Sequence, residues 1–152
     1  MPPELLGQVP FAALRVCIGG RWYLLPVASI EEVVALPAWE LLPDAPPWVL
    51  GTLRYGRQIV PLIDAQRRIA DRATTIDAGL RVLIVKTPEL AALLVDAVGD
   101  VVTVLPGDIS HPQEGIRQAD YLLGAVASPD ATTFHILRVA SLARGRADRV
   151  DG

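Results

Sequence analysis

Glycines and prolines break this chain into short apolar runs, and that punctuation constrains the fold more than any other feature. The 152 residues include 13 prolines and 12 glycines, and 51% of the chain is hydrophobic. Proline ends or kinks a helix and is confined to the edges of sheets. Many short strands separated by such turns are typical of small β-barrels and β-sandwiches. The sequence therefore predicts a mainly β protein with short helices, folded as one compact domain or two very small ones.

The stretch from Val49 to Asp64 has the strongest hairpin pattern in the chain. Two apolar strands flank a turn that contains Gly56, which is typical of a β-hairpin. Arg54, Tyr55 and Arg57 lie on or beside this turn. Guanidinium and phenol groups are enriched in protein interfaces. We therefore predict that the turn is a protein contact surface rather than a reaction centre.

The same pattern predicts further strands and connectors along the chain. The proline-rich segment from Leu36 to Trp48 is predicted to be extended, with Trp39 and Trp48 covering the core rather than stacking on a ligand. The polar segment from Ala65 to Ala78 is predicted to be a loop that can hold a helical turn. The other predicted strands are Leu14 to Ile18, Trp22 to Val27, Arg81 to Lys86, Leu90 to Asp96, Val98 to Leu105, and a hairpin of Asp120 to Val126 with Phe134 to Val139.

A short helix is predicted to begin at Ser29. Ser29 and Glu32 form a capping box, in which each side chain bonds the other residue's free backbone N–H. Ile30, Val33 and Val34 then give the i, i+3, i+4 apolar face of one or two helical turns. The capping role and a role in partner contact explain the presence of Glu32 equally well.

The second half of the chain repeats features of the first half. The shift that places Leu25 on Leu93 also places Val33 on Val101. Slightly larger shifts align two later pairs of segments, Leu50-Gly51 with Leu123-Gly124 and Ile63-Asp64-Ala65 with Leu137-Arg138-Val139. These matches predict two similar β units.

Charge and composition argue against several functions. The formal net charge is −3, and the aromatic residues are three Trp, three Tyr and two Phe, so nucleic-acid binding is disfavoured. Cys17 is the only cysteine, which excludes an intrachain disulfide, and we expect it to be buried and inert. No secretory signal pattern and no apolar run of about 18 residues is visible, so we expect a cytoplasmic protein without direct membrane insertion.

Neither a catalytic pattern nor a cofactor or metal site is predicted. His111 and His135 lack cysteines or carboxylates at ligand spacing, so a structural role is favoured over zinc binding. Ser128, Asp130 and His135 lie on one turn or beside it, without the strand-turn-helix pattern of a nucleophile elbow, and are not credited as a triad. This absence favours a binding function over catalysis.

The hairpin also resembles that of a known family. Its pattern is similar to that of the CheW family, the adaptor proteins of bacterial chemotaxis arrays, because Gly51, Val60-Pro61 and Ile63-Asp64 fall in register. The family's Asn-Leu-Arg-Gly turn falls on Arg54-Tyr55-Gly56-Arg57, so the Arg-Gly pair is inverted and Arg57 is a candidate for the displaced guanidinium. The resemblance covers about Phe11 to Leu142 and includes Leu93-Leu94-Val95-Asp96, Tyr121-Leu122-Leu123-Gly124 and Ile136-Leu137.

This resemblance implies a fold of two small five-stranded, SH3-like β-barrels side by side. We expect a single domain over residues 11–143, with subunits of about 11–70 and 80–143. Residues 1–10 and 144–152 are expected to be flexible tails.

The resemblance also implies a function and partners. It predicts a non-catalytic adaptor that couples the cytoplasmic tip of a methyl-accepting chemoreceptor to the regulatory domain of a CheA-type histidine kinase. The predicted contact residues are Arg54, Tyr55 and Arg57, with Glu32 as a charge partner. The inverted turn indicates a divergent member, serving a receptor–kinase system other than the main chemotaxis one. A small ligand-binding β-barrel or a small enzyme is the alternative, since fold alone proves no function.

Overall fold

The computed structural model of the protein describes residues 9–110, 121–127 and 132–144. Most of both predicted tails, together with His111, Ser128 and Asp130, lies outside these residues. The described part is mainly β, as predicted. Its strands are β1 (Phe11–Ile18), β2 (Arg21–Pro26), β3 (Ile30–Ala35), β4 (Glu40–Leu41), β5 (Val49–Tyr55), β6 (Gln58–Asp64), β7 (Arg81–Lys86), β8 (Leu90–Val95), β9 (Ala97–Val104), β10 (Ile109–Ser110), β11 (Leu122–Ala127) and β12 (Thr133–Leu137), and its α-helices are α1 (Ala65–Ala70) and α2 (Val139–Arg144).

The strands form two six-stranded sheets of equivalent topology. Their orders are β10-β11-β12-β2-β1-β9 and β3-β7-β8-β6-β5-β4. Each sheet has five longer strands and one two-residue edge strand, and each draws strands from both halves of the chain. The predicted subunits, about 11–70 and 80–143, therefore do not correspond to the two sheets. In each sheet one parallel pair, β12 with β2 or β6 with β8, joins strands of different halves.

The strand registers confirm the internal duplication. Leu14 pairs with Leu25 in one sheet, and Leu83 pairs with Leu93 at the equivalent position of the other. The backbone N–H of Asp64 donates to the carbonyl oxygen of Trp48, and that of Arg138 donates to the carbonyl oxygen of Tyr121, so the segments that lead into α1 and α2 are also equivalent.

Two glycines of the repeat are fixed by close backbone contacts. A Cβ on Gly51 would clash with the carbonyl oxygen of Glu40 in β4, and one on Gly124 would lie 2.7 Å from the carbonyl oxygen of Ser110 in β10. The short edge strands cross the hairpins at these points, so only a residue without a side chain fits.

Three apolar clusters make up the core. The largest lies between the sheets and includes Leu14, Leu25, Leu83 and Leu93. Each sheet also encloses a cluster of its own on its other face. The central strands of each sheet therefore lie between two clusters, and both of their faces are buried. This explains the continuous apolar runs of the sequence. Trp39 and Trp48 are half-buried against two of these clusters, as predicted.

Each sheet curls around its own cluster. In one sheet the cluster takes Val34 from the edge strand β3 and Leu53 from β5, near the opposite edge. In the other it takes Val104 from β9 and Ile109 from β10, the two edges. Backbone pairing among the described strands closes neither sheet into a ring, so side chains complete the barrel-like shape.

The predicted helix from Ser29 to Val34 is wrong. Val27–Ser29 form a 3-10 turn, and Ile30–Ala35 form strand β3. Ile30, Val33 and Val34 are β-branched and favour a strand when a partner is available. Here β7 supplies the pairing along the whole of β3, and this tertiary pairing outweighs the local capping pattern.

Cys17 is half-buried, so its expected full burial is wrong. Partial burial and the neighbouring carboxylate of Asp96, whose Oδ2 lies 3.9 Å from Sγ, raise the pKa of the thiol. A raised pKa keeps the thiol protonated at neutral pH, and a protonated thiol is a poor nucleophile.

None of the helices among the described residues is long and apolar enough to cross a membrane.

Candidate functional site

The β5–β6 hairpin ends in a tight two-residue turn. Tyr55 pairs with Gln58, and Gly56 and Arg57 connect them. Gly56 has a φ of 60°, a left-handed conformation that glycine adopts without strain. A left-handed residue at the first central position matches the twist of a hairpin. The turn therefore holds Arg54, Tyr55 and Arg57 at one end of the sheet.

The two arginines of the turn are exposed. Arg54 lies on the outer face of β5, opposite Ile59 of β6, whereas Arg57 lies at the turn itself. Neither guanidinium makes a hydrogen bond or ion pair with another described residue. Both cationic groups are therefore available to an external partner.

Tyr55 and Glu32 are brought together by the fold. The Tyr55 hydroxyl donates a 2.6 Å hydrogen bond to Oε1 of Glu32. This bond, together with partial burial and the negative charges of Glu32 and Glu31, raises the pKa of Tyr55 to about 12. Since β3 and β5 lie near opposite ends of their sheet, the contact exists only because the sheet curls. Two of the four predicted site residues thus form one polar pair.

An irregularity in β3 accompanies this pair. Ile30 pairs with Val85 and Glu32 with Ile84, which leaves Glu31 as an extra residue. Such a bulge bends a strand and re-aims its side chains. Glu31 forms a 3.4 Å ion pair with Lys86. Glu32 is exposed and directed toward the hairpin, where it accepts the bond from Tyr55, and it does not cap a helix.

An apolar groove lies beside Arg54. It has a volume of about 370 Å³ and is lined by Trp39, Glu40, Thr52, Arg54 and Ile59, with Ala38 and Leu53. Ile59 is 59% exposed, and Leu41 on the adjoining edge strand is 78% exposed. Large exposed apolar side chains grouped beside charged ones are typical of protein contact sites.

The sequence analysis missed this apolar part of the surface. Strand alternation could have revealed it, because Val60 and Leu62 point inward and Ile59 must therefore point outward. Leu41 carried no such signal, since the two-residue strand β4 is too short to show a period. We call the complete set of Glu32, Trp39, Leu41, Arg54, Tyr55, Arg57 and Ile59 the hairpin surface.

In the part of the chain that the structure describes, no group of three or more His, Cys, Asp or Glu could hold a metal ion. His135 lies in β12, whereas the other members of the discounted triad lie outside the described residues.

Two curled sheets that share a core and present exposed cations beside apolar side chains define a small β module suited to protein contacts. Residues 12–147 match the family model described as the CheW-like domain. The chain therefore belongs to the CheW-like domain family, as the sequence predicted.

Individual relatives agree with this assignment. "Chemotaxis protein CheW" of Helicobacter pylori is 23% identical over 126 residues, which cover 82% of this chain and 76% of that protein. "Protein PilI" of Pseudomonas aeruginosa is 28% identical over 99 residues, which cover 64% of this chain and 56% of that protein. The crystal structure of the scaffolding protein TtCheW from Thermoanaerobacter tengcongensis matches with a TM-score of 0.78 and 22% identity, over 85% of this chain and 89% of that one.

Proposed function

We propose that this protein is a non-catalytic adaptor that couples a methyl-accepting chemoreceptor to a CheA-type histidine kinase in the cytoplasm. The observation that carries the proposal is the CheW-like domain match over residues 12–147. A relative named a chemotaxis protein and a structural neighbour named a scaffolding protein support the same class.

The hairpin surface is the proposed contact site for the kinase regulatory domain. In the CheW family that domain resembles the adaptor itself, so two similar β modules would meet. Ile59 and Leu41 supply exposed apolar area, and burial of such area drives association. Arg54 and Arg57 supply charges that steer and orient the encounter.

The Glu32–Tyr55 pair has a supporting role in this proposal. Its hydrogen bond ties β3 to the hairpin, so the base of the turn is held in one orientation. A preorganised surface loses less conformational entropy on binding than a mobile one. The receptor tip would dock in a groove between the two barrels, as the family resemblance implies.

A pull-down tests both the function and the surface. The purified chain is offered, in separate assays, the kinase regulatory domain and receptor cytoplasmic tips from its own organism. The variant is Arg54→Ala/Arg57→Ala. The matched control is Arg67→Ala/Arg72→Ala, which removes the same charge from α1 and the segment that follows it.

The outcomes separate the two parts of the proposal. Kinase binding that the hairpin variant loses and the control keeps supports the adaptor function and its placement. Binding that both variants keep supports the function and excludes the arginines from the site. Absence of binding to every candidate, in protein shown to be folded, excludes the adaptor function and leaves a ligand-binding barrel or a small enzyme.

A further inference from the structure

Arg15 occupies a position that the other sheet fills with an apolar core residue. Arg15 pairs with Leu24, directly beside the Leu14–Leu25 pair of the same sheet. The equivalent of that Leu14–Leu25 pair in the other sheet is Leu83–Leu93. Directly beside Leu83 lies Ile84, which pairs with Ala92 and is fully buried. The internal duplication therefore places a guanidinium where its counterpart has an isoleucine.

The residues that surround Arg15 are also larger than their counterparts in the other sheet, and they are aromatic. Trp22 on β2 stands where the other sheet has Leu90, and Phe134 on β12 stands where it has Val60. The centroids of the Trp22 and Phe134 rings lie 4.8 and 5.3 Å from the guanidinium carbon of Arg15. Cation–π contacts with both rings fix the orientation of the cation.

The guanidinium retains hydrogen-bonding capacity in this setting. The Nε of Arg15 is buried and has no hydrogen-bond partner, and Arg15 forms no ion pair with the carboxylates of the described residues. A buried donor without a partner is unfavourable. No described carboxylate neutralises this guanidinium, and an unneutralised cation is suited to an anionic ligand.

A cavity of about 390 Å³ adjoins this guanidinium. Among the described residues, its lining contains two arginines, three aromatic side chains, one histidine and two threonines, and no carboxylate: Arg15, Arg21, Trp22, Tyr23, Thr132, Thr133, Phe134 and His135. Its volume is within the range of about 300–1,000 Å³ typical of small-molecule sites. The formal charge of the lining is positive although that of the whole chain is −3.

We propose that this cavity binds a small organic carboxylate with a flat, apolar body. The carboxylate would accept charge-assisted hydrogen bonds from the guanidinium of Arg15. The body would lie against Trp22 and Phe134, where aromatic stacking and burial favour it. This inference is independent of the adaptor function, because Arg15 is on neither β5 nor β6.

Benzoate is a direct probe of the site, since it combines a carboxylate with a flat ring. Binding is followed on the full chain by the indole N–H resonance of Trp22 in two-dimensional NMR, over a range of benzoate concentrations. Benzamide has the same shape without the charge. Arg15→Ile copies the residue of the other sheet and is expected to remain folded; a thermal melt of this variant checks that expectation.

We expect benzoate to shift the Trp22 resonance saturably, and benzamide to bind at least about tenfold more weakly, in line with the loss of one charged hydrogen bond. Arg15→Ile should weaken benzoate binding by a similar factor. Equal affinity for both probes, unchanged affinity in folded Arg15→Ile, or no saturable shift in the wild type would each overturn the proposal. If Arg15→Ile does not fold, the comparison of benzoate with benzamide on the wild type decides the question.

Discussion

The hydroxyl of Tyr55 donates a 2.6 Å hydrogen bond to Oε1 of Glu32. This bond joins β5 to β3, and the two strands lie near opposite edges of the same sheet. The curled sheet is held at this point by a side-chain contact rather than by backbone pairing. The contact also connects two residues that the sequence singled out for different reasons, Tyr55 from the hairpin turn and Glu32 from the capping box.

The first prediction concerns the titration of Tyr55. Its pKa is raised to about 12, chiefly by the hydrogen bond to Glu32. Glu32→Ala removes both the hydrogen-bond acceptor and the negative charge, so the pKa should fall toward the ordinary value of 10.0. Because the folded-state pKa is raised, the contribution of this pair to stability is complete below about pH 10 and lost as the pH rises through about 12.

The measurement is an NMR titration of the Tyr55 ring, assigned with Tyr55→Phe. Glu31→Gln is the control, because Glu31 acts on Tyr55 only through the more distant charge and has the smallest effect. A pKa that stays near 12 in Glu32→Ala would contradict the interaction with Glu32 as the main cause.

The second prediction concerns the crossing of β4 over β5. Gly51→Ala places a Cβ against the carbonyl of Glu40, so the edge strand must move and the groove beside Trp39 must open. Overpacking of this kind costs about 1–3 kcal/mol. Urea unfolding measures it. Gly107→Ala is the matched control, since a Cβ there meets nothing within 4 Å, and equal midpoints for the two variants would refute the clash.

The third prediction concerns Asp64, which is 1% exposed. Its carboxylate accepts from the backbone N–H groups of Arg67 and Thr74 and from the Thr74 hydroxyl, at 3.2, 2.8 and 2.6 Å. Asp64→Ala removes a helix N-cap and leaves these buried donors unpaired, which should cost about 2 kcal/mol or more. Asp71→Asn, at the exposed end of the same helix, should change the unfolding free energy by less than about 0.5 kcal/mol. Similar losses for the two variants would refute a specific role for the buried carboxylate.

Local patterns in the sequence predicted the parts of this fold that depend on local geometry. The β5–β6 hairpin, the alignment of Leu50-Gly51 with Leu123-Gly124 and the extended segment before Trp48 all follow from turn residues and alternation. The segment after Ser29 was mispredicted because its capping box and its β-branched residues favour different structures. Only the pairing of β3 with β7, made by residues far apart in the sequence, decides between them.

In the candidate site, too, local patterns predicted some residues, whereas others depend on contacts between distant parts of the chain. Arg54, Tyr55 and Arg57 were recognisable from the turn alone. The proximity of Glu32 and the exposure of Leu41 depend on the curl of the sheet, which no local pattern encodes. The role of Arg15 was also hidden, since a single arginine in an apolar strand becomes informative only when its counterpart, Ile84, is identified.

The last prediction concerns Arg68 of α1, which is 8% exposed. Its guanidinium carbon lies 4.1 Å from the centroid of the Trp48 ring and 5.1 Å from that of Tyr121. Trp48 and Tyr121 are equivalent residues of the two repeats, so Arg68 links the two halves of the chain. Its Nη2 also donates to the carbonyl oxygen of Ser141 in α2, at 3.4 Å.

Arg68→Ala should lower the free energy of unfolding by about 1–3 kcal/mol, because it removes two cation–π contacts and the packing of a buried side chain. Arg68→Lys should recover little of this loss, since an ammonium group lacks the planar face that stacks between the rings. Urea unfolding with an unchanged m-value measures both effects. Arg67→Ala, on the exposed side of the same helix, should change stability by about 0.5 kcal/mol or less. If Arg68→Lys is as stable as the wild type, the positive charge stabilises the contact with Trp48 and Tyr121, and stacking does not.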